Sequence, residues 1–167
     1  MSDKLLRTAI QGLREKIDPN DEHYEVYVKV INKEIKALQD INFDDYMLLL
    51  HDIVLVSREI SGFVSSFGSV QNSLTAFVLG IVDYFDFDEY DFKNFTPFLK
   101  KHTVNILISS YAMAGCVGYV KHKYPALIKK TKKRTITFNN DLKIKFIDLG
   151  IETRVKFDED GFRIWAK

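Results

Sequence analysis

TVNILISSYAMAGCVGYV, residues 103–120, is the stretch on which the reading of the fold turns. It carries no charge and lies between Lys100-Lys101-His102 and Lys121-His122-Lys123. Thr96-Pro97 reads as a cap followed by a first helical position. Tyr124-Pro125 reads as a stop, because the residue before proline leaves the helical region. The expectation is one long apolar helix over 97–122, around which other helices close. Ser110, Ala114 and Gly118 recur at i, i+4 and i+8, a stripe of small residues that lets another helix approach closely. On that reading, leucine at 114 or 118 overpacks the core by roughly 1–3 kcal/mol. Two readings compete with a buried helix: a membrane span, since the length reaches the lower bound, and a wall of an apolar ligand cavity. Asn105, Ser109 and Ser110 dilute the hydrophobicity, and the neighbouring segments are amphipathic, which weighs against a span.

Toward the N-terminus, Leu6, Ile10, Leu13 and Ile17 step by four, three and four, predicting an amphipathic helix over 3–17. Asp18-Pro19 reads as the cap and first position of a second helix running to Gln39. Its apolar side is Tyr24, Tyr27, Ile31, Ile35 and Leu38. Asn42 caps a third, with Asp45 in a variant capping box. From Tyr46 to Val56 only His51 and Asp52 break an apolar run, so this helix is buried on several sides. Ser61-Gly62 and Gly68-Ser69 bracket a break, and Ser69 starts a fourth helix through Phe85. DYFDFDEYDFKNF, residues 83–95, then alternates acids with aromatics and reads as a loop between helices.

Beyond Lys133 the period of the apolar residues changes from 3.6 to 2. RTITF, LKIKFI, IETRVKF and FRIWAK are separated by Asn139-Asn140-Asp141, Asp148-Leu149-Gly150 and Asp158-Glu159-Asp160-Gly161, all turn-forming residues. This predicts an antiparallel β-meander over 134–166, apolar on one face and charged on the other. Its last segment, with Trp165, is a candidate free edge. The class is α+β: five to six helices, then a small sheet. The organisation is one domain over 1–167, with a helical part, 1–132, and a β part, 133–167.

The apolar fraction of 46% and charged fraction of 28% are those of a globular chain. A single cysteine, Cys116, forms no internal disulfide. The charged opening segment has no secretory apolar core, so the expected compartment is the reducing cytoplasm. Charge is unevenly laid out. Residues 1–92 carry 8 basic and 17 acidic side chains, whereas 93–140 carry 10 basic and none acidic. Such segregation marks either internal complementarity or surfaces for partners.

Two segments are candidates for partner binding. The basic segment 121–134, with Lys129, Lys130, Lys132, Lys133 and Arg134, has the density of a phosphate-binding patch. Continuity with Lys143, Lys145 and Lys156 on the sheet would favour nucleic acid. The acidic-aromatic segment offers Tyr84, Phe87, Asp88, Glu89 and Tyr90 to a protein. An exposed ring cluster there would favour a protein partner. Its acids lack the glycine and distal glutamate of a calcium loop.

No catalytic, metal or cofactor residue stands out. His51 and Asp52 are adjacent and diverge by about 100° on a helix, so they form no dyad. His51 reads as a hydrogen-bonded core histidine and Cys116 as an inert buried thiol. No G-x-S-x-G, H-E-x-x-H or P-loop pattern is present. The expectation on these grounds is a non-enzymatic interaction or regulatory protein with a protein partner, of the adaptor, inhibitor or immunity type and of phage or mobile-element origin. Nucleic-acid binding through 121–134 is the alternative. A small enzyme or apolar-ligand binder with a pocket beside the long helix is the third. Oligomeric state and membrane contact receive no positive signal.

Overall fold

The computed structural model describes residues 3–149 and the backbone of 155–157 and 163–165. The α+β class holds. The α-helices described are α1 (Lys4–Lys16), α2 (Tyr24–Asp40), α3 (Asp44–Ser61), α4 (Leu74–Val78), α5 (Phe92–Lys100) and α6 (Met113–Lys123). Five strands, β1 (Val64–Phe67), β2 (Thr103–Ile108), β3 (Ile128–Lys132), β4 (Thr135–Phe138) and β5 (Lys143–Asp148), form one sheet in the order β1-β2-β5-β4-β3. A further pair, β6 (Val155–Phe157) and β7 (Arg163–Trp165), is antiparallel. The expected turn at 158–161 lies outside the described residues.

The long helix over 97–122 does not exist. Residues 97–100 end α5, 103–108 form strand β2, Ser110–Ala112 form a short turn, and the α-helix resumes only from Met113 onward, as α6. In TVNILI the buried residues are Val104, Ile106 and Ile108, a period of two. Leu107 on the opposite face interrupts the alternation and makes the run look uniformly apolar. Pro97 lies inside α5, which begins five residues earlier with Asp91 accepting from the Lys93 N–H as its cap. The small-residue stripe is also corrected: Ser110, Ala114 and Gly118 are all exposed. A Cβ added at Gly118 meets nothing within 4 Å.

The sheet likewise differs from a C-terminal meander. β1 and β2 come from the helical half of the chain, and β3 begins at Ile128. β2 pairs with β5 in parallel, Thr103 opposite Lys143 and Asn105 opposite Lys145. β4 and β5 pair antiparallel, as the turn residues and alternation predict, and β3, which lies ahead of the predicted meander, pairs antiparallel with β4. Val64, Val104, Ile106, Ile108, Ile136, Phe138, Ile144 and Phe146 are buried on the inner face, over which α3 and α6 pack.

Helix starts are shifted by cap chemistry. Asp18 and Asp21 close local turns, each accepting a backbone N–H two residues on, so α2 begins only at Tyr24. Asn42 adopts a left-handed conformation and leaves the cap position of α3 to Phe43. The fourth helix is much shorter than expected and is capped by Ser73, whose Oγ accepts from the Ala76 N–H, not by Ser69. Gly62 ends α3 at φ 73, the left-handed C-terminal position that favours glycine.

Within the apolar core of the helical half lies one buried carboxylate that bonds distant segments. Glu34 of α2 is fully buried. It accepts from Ser73 Oγ at 2.7 Å, Thr75 N at 2.9 Å, Leu74 N at 3.0 Å and Tyr90 Oη at 2.9 Å. A buried carboxylate is tolerated when donors surround both oxygens. This one satisfies the amino end of α4 and ties down the loop that leads into α5.

Candidate nucleic-acid interface

Strand register alone assigns the outer face of the sheet. Lys130 pairs with Thr137 and Lys132 with Thr135 between β3 and β4. Thr137 pairs with Lys143 and Thr135 with Lys145 between β4 and β5. Thr103 and Asn105 of β2 continue the two rows. Because β-strand side chains alternate between faces, Lys130, Lys132, Lys143 and Lys145 all stand on the face away from the helices, and all four are exposed. Two lysines lie on each of two strands, with a threonine-bearing strand between them. Adjacent strands are about 4.8 Å apart and alternate residues about 6.7 Å apart along a strand, so the four ammonium groups cover a small rectangle.

Both ends of this rectangle extend the charge. At one end Lys133 occupies the turn between β3 and β4 with φ 54, beside Arg134. Together with Lys132 and Lys145 they border a cleft of about 370 Å³. At the other end lies a larger cleft of about 520 Å³, bordered by Lys100, Lys101, Lys129, Lys130 and Lys143. Parallel pairing of β2 with β5 creates this second cleft. It places the carboxyl end of α5 next to the start of β5, where the Lys143 N–H donates to the His102 carbonyl at 2.8 Å. Asn139 fixes the remaining wall, its N–H donating to Leu127 O and its Nδ2 to Ala126 O. The carboxylate at this end is Asp141, 3.2 Å from Lys129 Nζ. Like charges gathered on one face raise the local potential and draw in polyanions.

The candidate residues of the basic segment therefore separate. Lys129, Lys130, Lys132, Lys133 and Arg134 join the sheet face or its rims. Lys121 and Lys123 belong to α6, where Lys123 Nζ is 3.0 Å from Asp52 Oδ2. The same Asp52 oxygen accepts from Tyr119 Oη at 2.7 Å and from Tyr124 Oη. Burial pushes the Asp52 carboxyl up, but the Tyr124, Tyr119 and Lys123 hydrogen bonds outweigh it and hold the group below its ordinary value. This cluster fastens the end of α6 to α3 and takes Lys123 and Tyr124 out of the basic face.

The acidic-aromatic segment separates in the same way. Phe87 packs against Tyr27, Phe77 and Phe85, with centroids 4.8, 5.9 and 5.0 Å away. Tyr90 donates to Glu34. Asp88 and Glu89 are exposed, and their backbone N–H groups are held by Asp86 Oδ1. Of the three rings Tyr84, Phe87 and Tyr90, Tyr84 alone is exposed, at 73%. The three-ring patch expected of a protein-binding site is not assembled.

The other candidates have structural partners. His51 Nδ1 lies 2.6 Å from the Leu79 carbonyl oxygen, a hydrogen bond joining α3 to the end of α4. Asp52 points the other way, toward α6. Cys116 is buried, and burial pushes its thiol pKa up, with a hydrogen bond from Ser57 pulling it back in part. Among the described residues no group of three His, Cys, Asp or Glu is placed to hold a metal ion, and no helix is long and apolar enough to cross a membrane.

Lys143 and Lys145 were legible as sheet lysines. Lys100, Lys101, Thr103 and Asn105 were not, because reading them into a long helix hid their place in and beside β2. The two-residue period of TVNILI is the signal that finds them.

The family model described as bacterial DNA polymerase III alpha NTPase domain matches residues 3–116. No curated protein matches the chain. The matched span runs from α1 through β2 to the first turn of α6. It supplies Lys100, Lys101, Thr103 and Asn105, whereas the strands bearing the other sheet lysines follow it. This match overturns the expectation of a non-enzymatic adaptor, inhibitor or immunity protein of phage type, which rested on the lack of quotable motifs and on charge segregation.

Proposed function

The chain belongs to the family of the bacterial DNA polymerase III alpha NTPase domain, and on that footing we propose that it serves in DNA replication, within a protein–nucleic-acid assembly, and meets DNA through the outer face of its sheet. The observation that carries the reading is the rectangle of Lys130, Lys132, Lys143 and Lys145, set by strand register and lacking an acidic residue among its outward positions on β3, β4 and β5. A lysine ammonium is a point charge on a flexible stem, suited to phosphate oxygens. Thr135 and Thr137 between the lysines, and Thr103 and Asn105 beside them on β2, add neutral hydrogen-bonding groups of the kind that hold a backbone in register. The described outward positions of β3, β4 and β5 carry no aromatic ring on which a base could stack. Backbone contact without sequence reading is what such a surface offers. A cytoplasmic setting suits the buried free thiol of Cys116.

The test is fluorescence anisotropy with a labelled oligonucleotide across a salt series. Phosphate contacts release counterions, so four lysines give a slope of log K against log salt of about −4. Affinity then falls about 150- to 250-fold between roughly 50 and 200 mM salt. Exchanging the four lysines for glutamate removes binding without changing the melting temperature. Binding that survives the exchange, or that ignores salt, refutes the proposal.

A further inference from the structure

We infer that the 520 Å³ cleft at the α5 end of the sheet is a binding site for a phosphate chain, a ligand with several charged phosphoryl groups in sequence, held by Lys100, Lys101, Lys130 and Lys143. The inference deepens the DNA-contact reading, since two of these lysines also belong to the sheet rectangle.

Three observations support it. First, the lysines converge from three separate parts of the chain: Lys100 and Lys101 at the end of α5, Lys130 in β3 and Lys143 in β5. A lysine-rich loop scatters its charge along the chain. Here the parallel β2–β5 pairing and the bond from Lys143 N to His102 O force distant parts of the sequence into one concavity. Second, the charge is not neutralised internally. Lys129 has Asp141 at 3.2 Å, while the side-chain ammonium groups of Lys100, Lys101, Lys130 and Lys143 have no hydrogen-bonding or ion-pair partner among the described residues. Gathering four like charges costs electrostatic free energy that a polyanion relieves. Third, the shape differs from the rest of the face. The rectangle is an open sheet surface suited to a strand passing across it, whereas this end is concave and closed on one side by the 139–141 turn. The Thr103 and Thr137 side chains on the cleft wall can bond to phosphoryl oxygens. Lys100 and Lys101 also complement the carboxyl end of α5. That role accounts for two charges at a helix end and leaves Lys130 and Lys143, which come from the sheet, to be explained by the ligand.

Such a chain has two sources: free in solution, or the phosphorylated end of a strand lying on the sheet. Titration calorimetry of the full chain with sodium tripolyphosphate, and separately with sodium sulfate, reads the site directly. Single-site binding of tripolyphosphate is expected, with sulfate much weaker. Lys101→Gln/Lys143→Gln is expected to weaken tripolyphosphate at least about tenfold, since charge-assisted bonds are the strong ones. Lys132→Gln/Lys145→Gln, at the opposite end, should leave it within about twofold. All four positions are exposed, and circular dichroism confirms that each variant folds. A 5′-phosphorylated oligonucleotide that outcompetes its 5′-hydroxyl counterpart for the site assigns the chain to a strand end. Equal competition, with tripolyphosphate still bound, assigns it to a free ligand. Tripolyphosphate binding no tighter than sulfate, or lost equally in both variants, overturns the inference. If an unphosphorylated oligonucleotide still binds with the salt dependence given above, the DNA-contact reading stands and only the cleft site falls. If neither ligand binds, both fall.

Discussion

Replacing Glu34 with alanine tests whether one buried carboxylate organises the half of the molecule that carries α5 to the sheet. Glu34 accepts four hydrogen bonds, from Ser73 Oγ, Leu74 N, Thr75 N and Tyr90 Oη. Hydrogen bonds to a charged group contribute about 1.5–3 kcal/mol each, so the gross interaction is about 6–12 kcal/mol. Against it stands the cost of burying the carboxylate, several kcal/mol after relaxation. Alanine removes that cost but leaves the four donors without the carboxylate, in a site emptied of a carboxyethyl group. The expected net loss is about 3–5 kcal/mol, the range for a broken buried charge network. For a chain of this size it corresponds to a fall in melting temperature of about 6–20 °C. Urea denaturation gives the free energy, and Ser73→Ala and Tyr90→Phe, each removing one bond, should lose about 1 kcal/mol apiece.

Glu34→Gln separates the donors from the charge. The amide keeps one acceptor oxygen and turns an NH2 toward two of the four donors, a penalty that does not vary with pH. Burial pushes the Glu34 carboxyl up, and the bonds from Thr75, Ser73 and Leu74 pull it only part of the way back. A folded-state pKa above the unfolded one gives stability that is fully present below about 4.5 and is lost as pH rises through the folded value. Relative to Glu34→Gln, the wild type therefore loses stability as pH climbs from 4 toward neutrality. If Glu34→Ala costs less than about 1 kcal/mol, or if the difference between wild type and Glu34→Gln is flat with pH, the carboxylate does not organise this half of the fold.

Asp52 gives the opposite pH signature. Its folded pKa lies below the ordinary 3.8, so its contribution is present above that value and lost as pH falls through the folded one. Asp52→Asn should flatten this acid limb in a thermal-melt series, and an unchanged limb would show that the Tyr119–Lys123–Tyr124 cluster is not coupled to folding. Gly12→Ala should destabilise by about 1–3 kcal/mol or more, because its Cβ would stand 2.0 Å from the Val78 carbonyl oxygen where α1 meets α4. Gly118→Ala should instead stabilise by about 0.5–1 kcal/mol, since it faces open space inside a helix. Melting temperatures that move the same way for both glycines would refute this placement of α1 and α6.

Periodic signals survived the passage from sequence to fold, and length signals did not. Leu6, Ile10 and Leu13 fixed α1 to within a residue at each end, because three apolar positions at helical spacing have one geometric solution. RTITF and LKIKFI gave β4 and β5 and their turn for the same reason at period two. The uncharged run 103–120 reads as a helix from its length and from the prolines beyond it, and both signals mislead. Pro97 can stand in the first turns of a helix as well as at its start, and α5 ends at Lys100 before the run begins. Glu34 was invisible for another reason. A glutamate on an otherwise lysine-studded helix face reads as solvent-exposed, and only the arrival of Ser73, Leu74, Thr75 and Tyr90 from 39 to 56 residues away makes it internal.

That error bears on the functional site as well as on the fold. With 103–108 read as helix, Lys100 and Lys101 were flanking charges, and the basic segment looked like a loop patch ending at Arg134. With 103–108 as a strand parallel to β5, Lys100 and Lys101 sit beside Lys143, and the basic residues become a surface with two rows and two ends. The family match ends at 116, so the matched span reaches this surface only through β2 and the end of α5. β3, β4 and β5 follow the matched span and contribute the four lysines of the rectangle. If the surface works as proposed, a variant that breaks the β2–β5 seam should lose DNA contact while keeping its lysines. Val104→Pro is such a variant. It removes a backbone donor from a central strand and costs about 3 kcal/mol or more. Circular dichroism that retains the helical signal, together with lost oligonucleotide binding, would show that parallel pairing of β2 with β5, and not the lysine count alone, makes the interface. Retained binding in a chain whose seam is open would show that β3–β5 bind DNA by themselves.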